Sequence, residues 1–125
     1  MPLDKNNELQ EYMQSIKDLK VISRSEMDAL FIRAKDNDEI AIEKIAYANL
    51  SIVLIEATKY QNQGLSLKHL VAAGIEGMKN AIRGTTTSDP SDEVFGKLFI
   101  LASAHYIAES IQNSFLENLM NYNEY

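Results

Sequence analysis

Residues 48–82, ANLSIVLIEATKYQNQGLSLKHLVAAGIEGMKNAI, constrain the fold of this chain more than any other stretch. Two apolar-periodic runs flank a break at Gln61-Asn62-Gln63-Gly64. Gly64 suits the left-handed position that ends a helix, and Ser66 suits the cap that starts the next one. The segment therefore predicts a helix, a tight turn and a second helix. Gly74 and Gly77 fall inside that second helix. A glycine in a helix interior costs on the order of 1 kcal/mol relative to alanine. A neighbouring helix that comes close to both glycines is the expected compensation.

The remaining periodicities are also helical. Leu9, Met13, Ile16 and Leu19 or Lys20 recur at three-to-four spacing with Tyr12 beside them, which predicts a first helix over 7–18. Ser23-Arg24-Ser25-Glu26 is a capping box for a second helix carrying Met27, Leu30, Phe31 and Ala34. Asp36-Asn37-Asp38 ends it, and Asp38 can cap a third helix running to about Tyr60. Its inner side reads Ile42, Ile45, Ala46, Asn49, Ile52, Val53 and Ala57. Residues 84–90, GTTTSDP, form the clear loop, with Asp89 as a cap and Pro90 in a first turn. Its Thr85–Ser88 run reads as a flexible loop or a phosphorylation target. The last helix is expected from Pro90 or Ser91 to about Met120, with a frayed tail over 118–125. It shows two apolar stripes: Phe95, Leu98, Phe99, Ala102 and Tyr106, and Ile100, Ala104, Ile107, Ile111 and Phe115. Two apolar sides predict a central helix. The fold class expected is all-α, a compact bundle of about five helices in one domain spanning 1–125.

A chain of 125 residues can bury roughly two-thirds of its unfolded surface. With no cysteine there is neither a disulfide framework nor thiolate chemistry. The start, MPLDKNNELQ, lacks the apolar core of a signal peptide. No run nears the length of a membrane span. These features predict a cytoplasmic protein with no membrane partner. His69 and His105, the only histidines, have no ligand-type neighbours at metal-binding spacing. No nucleophile and base are marked as a pair. No enzyme activity, metal, cofactor or small-molecule ligand is expected. The net charge of -6 argues against a broadly nucleic-acid-binding surface. Beyond Lys97 the chain has neither Lys nor Arg but carries Glu109, Glu117 and Glu124, which would repel phosphate.

Asn49, Leu50, Val53, Lys59, Tyr60, Gly64, Ser66, Leu70, Gly74, Gly77, Met78, Ala81 and Ile82 follow one outline. It is an N-L-x-x-V helix ending in K-Y, then G-x-S, and then a helix with interior glycines and G-[LM]-x-x-A-[VI]. That outline resembles the second conserved region of bacterial sigma factors of the sigma-seventy family, the subunits that give RNA polymerase its promoter specificity. Leu9, Tyr12, Met13, Ile16, Ser23 and Glu26 resemble the helices just before that region. Asp38, Ala41, Ile45, Asn49 and Leu50 resemble the stretch between. The resemblance covers most of the chain and implies the sigma second-region fold. The upstream-element helix-turn-helix of full sigma factors has no counterpart in these 125 residues. Were that the natural length, two-element promoter recognition would be ruled out.

The resemblance also implies two candidate surfaces. The family's polymerase-binding positions fall on His69, Ala72, Ala73, Ile75 and Lys79, where an aspartate has become His69 and a Gln-Glu pair has become Ala72-Ala73. The promoter-melting positions fall on Ala102, His105, Tyr106, Ala108 and Glu109, in place of the family's aromatics and arginine. Tyr106 could stack on a base or belong to the core. The function implied is a sigma-factor-like transcription initiation protein that can dock on the RNA polymerase core but has largely lost promoter melting. The alternative is a sigma-derived protein-interaction or regulatory module that binds neither polymerase nor promoter DNA.

Overall fold

The computed structural model describes residues 5–18, 22–85 and 94–123. They form six α-helices: α1 (Lys5–Asp18), α2 (Arg24–Lys35), α3 (Glu39–Ala48), α4 (Leu50–Thr58), α5 (Leu67–Gly84) and α6 (Phe95–Asn123). The chain is all-α among the described residues.

Local signals set the helix starts. The Ser23 hydroxyl accepts the Glu26 amide at 3.2 Å, and the Ser66 hydroxyl accepts the His69 amide at 3.1 Å. The Asp38 carboxylate accepts the Ile40 and Ala41 amides at 3.1 and 3.2 Å. Asn37 takes positive φ, +60°, between α2 and α3, and Asn62 and Gly64 take +67° and +116° between α4 and α5.

Asp38 also takes a hydrogen bond from Arg33 Nε at 2.9 Å. That bond, followed by the amide bonds, holds the carboxyl below the ordinary value of 3.8. The carboxylate is thus favoured by folding. Its stabilising effect is complete above pH 3.8 and disappears as the pH falls through the lower, folded-state value. Asp38→Ala is therefore expected to lower the melting temperature at neutral pH. The gap from the parent should close on acidification below that range, as thermal melts across a pH series would record.

The predicted third helix is two helices. Asn49 leaves helical geometry at φ -109°, ψ 25°, and its side-chain amide donates to the Ile45 carbonyl at 2.9 Å. An asparagine that bonds locally to backbone competes with the helix ladder. The buried row continues across the break through Ile42, Ile45, Ala46, Leu50, Val53, Leu54 and Ala57. Asn49 and Ile52, expected on the inner side, are half-buried. In α1, Leu9 and Tyr12 pack against the core, whereas Met13 is exposed because the helix meets the body along one narrow edge.

The central helix is α5 rather than α6. It packs against each of the other five helices, while α6 lies mainly on α4 and α5 and meets α2 through one ring cluster. The interior glycines explain this placement. A Cβ on Gly74 would stand 2.7 Å from Val53 Cγ1 of α4, and one on Gly77 would stand 2.6 Å from Ile107 Cα of α6. Both expected close approaches are present. Each of the two stripes read along α6 is divided. Phe95, Phe99, Ile107 and Ile111 are buried, but Leu98 and Ile100 are exposed because none of the described helices covers that side. Phe31 of α2 meets Phe95 and Phe99 edge-on, with centroids 5.0 and 5.2 Å apart. α6 continues helically to Asn123, through most of the stretch expected to be a frayed tail. The predicted Asp89 cap and Pro90 first turn lie outside the described residues.

Candidate functional site

The α4–α5 hairpin carries the first candidate surface. Its turn holds Gly64, and Leu65 and Leu67 anchor it in the core. On α5 the positions 69, 72, 76, 79 and 83 follow helical spacing on the side opposite Leu70, Gly74, Gly77 and Ala81. His69 and Ala72 are exposed there, and Lys79 is half-buried. The Lys79 ammonium lies 3.6 Å from the Glu76 carboxylate. Arg83 donates to Glu39 of α3 at 3.1 Å.

Two of the five candidate polymerase-contact residues face elsewhere. Ala73 is buried, and its carbonyl accepts the Ser110 hydroxyl of α6 at 2.7 Å. Ile75 is half-buried and packs on the core. The solvent-facing row is thus His69, Ala72, Glu76, Lys79 and Arg83, a mixed-charge strip around one small residue. Glu76 and Arg83 are additions from the structure. The helical period starting at His69 reaches both, whereas the family outline does not include them.

On α6, His105 and Glu109 are exposed, with imidazole Nε2 3.5 Å from the carboxylate. Ala102, Tyr106 and Ala108 are half-buried. The Tyr106 ring rests over the end of α5, where a Cβ on Gly84 would lie 3.2 Å from its hydroxyl. The imidazole of His105 stands edge-on to that ring at 5.7 Å. Tyr106 therefore uses one face for packing, and the outward groups on this turn are an imidazole and a carboxylate. This arrangement offers neither an open pair of rings for base stacking nor a fixed cation for phosphate.

A shallow depression between α1 and α5 is lined by Glu8, Glu11, Tyr12, Ser15 and Lys68. Burial raises the pKa of the Tyr12 phenol, helped by the carboxylates of Glu8 and Glu11. The Ser15 hydroxyl donates to the Glu11 carbonyl at 2.9 Å, so its proton is engaged within its own helix. No group of three or more His, Asp or Glu residues capable of holding a metal occurs among the described residues. No described helix is long and apolar enough to cross a membrane. Comparisons with protein-family models, curated proteins and solved structures find no match to this chain.

Proposed function

We propose that this chain is a sigma-factor-like transcription protein that docks on the RNA polymerase core through the exposed row of α5. The observation that carries the reading is the α4–α5 hairpin. Its Gly64 turn, Ser66 cap and inward Gly74 and Gly77 follow the sigma second-region outline, and His69 and Ala72 point away from the bundle, with Lys79 half-buried beside them. A cytoplasmic location follows from that role. The α6 surface, with His105 and Glu109 outward and Tyr106 packed on Gly84, favours docking without promoter melting.

Core polymerase immobilised at low salt should retain the chain at low micromolar concentration. Ala72→Glu should weaken retention at least tenfold, because a carboxylate at the centre of an interface must be desolvated. Failure of the parent chain to bind would overturn the proposal. Fluorescence anisotropy with a single-stranded promoter oligonucleotide should show no binding. Salt-sensitive binding would overturn the α6 part.

The second reading is a sigma-derived regulatory module that binds neither polymerase nor promoter DNA. Its favouring observation is that Ala72, rather than a polar anchor, occupies the middle of the row. Capture of a protein other than polymerase, abolished by Ala72→Glu, would select it.

A further inference from the structure

The outer face of α6 has a self-complementary order. Val94, Leu98, Leu101, Leu116, Leu119 and Met120 are each between 53% and 69% exposed. At 100° per residue they fall within an arc of about 100°. Placing α6 against an antiparallel copy of itself, centred between Ala108 and Glu109, sets Leu98 opposite Leu119 and Leu101 opposite Leu116. The same register sets His105 opposite Gln112. The sequence is therefore apolar at both ends of the helix and polar at the centre, in an order that matches its own reverse.

We propose that α6 is a dimerisation helix that pairs antiparallel with α6 of a second copy about a two-fold axis at Ala108–Glu109. Such an isologous contact uses one patch twice, so every leucine on one copy meets a leucine on the other. The six side chains leave on the order of 600 Å² of apolar surface on one copy, divided between a cluster at Val94, Leu98 and Leu101 and a second at Leu116, Leu119 and Met120. Complete burial of these side chains on both copies would remove about 1,200 Å², the lower edge of specific stable interfaces. From Leu116 to Asn121 every residue is exposed, on all sides of the helix. The last turns of α6 thus leave room for a second helix to lie along them. Antiparallel alignment also opposes the two helix dipoles, and it sets each Glu109 opposite an Ala108 beside the axis.

Light scattering coupled to gel filtration at about 100 µM should give twice the 14.1 kDa chain mass. Leu101→Glu combined with Leu116→Glu should return the single-chain mass with an unchanged far-ultraviolet circular dichroism spectrum, since both side chains are exposed. The register is tested by cross-linking, which the absence of native cysteine makes clean. Chains carrying Leu101→Cys mixed with chains carrying Leu116→Cys should form a mixed disulfide under mild oxidation. Leu101→Cys alone should not cross-link, because the two copies of position 101 stand about 22 Å apart along the pair, far beyond disulfide reach. A single-chain mass at 100 µM, an assembly larger than two, or efficient self-linking of Leu101→Cys would each overturn the proposal. So would a chain that stays monomeric while this face captures a different protein.

Discussion

Gly77→Ala is expected to destabilise the protein by about 2 kcal/mol or more, although alanine is the better helix former. The propensity gain is on the order of 1 kcal/mol. Against it, the new methyl would stand 2.5 Å from the Tyr106 carbonyl oxygen and 2.6 Å from Ile107 Cα. Both neighbours are backbone of α6, which cannot swing aside as a side-chain tip can. Overpacking of this kind costs typically 1–3 kcal/mol and more where the backbone must move. At this chain length about 2 kcal/mol corresponds to a fall of roughly 8 °C in melting temperature. Gly96→Ala is the control. Nothing lies within 4 Å of a Cβ there, so the propensity gain stands unopposed and the melting temperature should hold or rise. A Gly77→Ala protein that melts no lower than the parent would contradict the α5–α6 crossing.

The second large effect is expected at Phe31. This ring is buried and meets Phe95 and Phe99 edge-on, joining α2 to the start of α6. Phe31→Ala should cost about 3–5 kcal/mol from lost transfer energy and the cavity left behind. Each aromatic pair adds roughly 0.5–1.5 kcal/mol beyond area burial. Urea denaturation would show the loss as a lower midpoint, and hydrogen exchange should report earlier opening of the first turns of α6. Phe31→Leu should recover most of the burial and cost well under half as much. A loss below about 1 kcal/mol for Phe31→Ala would show that the three rings do not hold α2 against α6.

The helix ends are legible in the sequence because they are set by neighbours in the chain. Ser23, Asp38 and Ser66 each satisfy amides two or three residues ahead, and Gly64 takes the positive φ its turn requires. Gly74 and Gly77 are also readable as contact points, since their cost demands a nearby backbone. The break at Asn49 is not, because asparagine on an inner side satisfies the apolar period either way. The structure decides it through the local bond to Ile45. The candidate surface on α5 is half legible. His69, Ala72 and Lys79 come from the family outline, but Ala73 turns inward to meet Ser110, a residue 37 positions away.

By itself the sequence determined an all-helical chain, the caps at Ser23, Asp38 and Ser66, the Gly64 turn and the buried face of α5, but only part of the buried face of α4, where Leu50 and Leu54 are buried and Ile52 is half-buried. These follow from interactions that span a helical turn or less. Tertiary structure alone decided that α5 is central, that Phe31 closes on Phe95 and Phe99, and that Leu98, Leu101, Leu116 and Leu119 stay exposed. A period identifies which side of a helix is apolar. Which apolar side finds a partner depends on how closely backbones approach, and here Gly77 brings α6 down on its Ile107 side and leaves the opposite stripe facing outward.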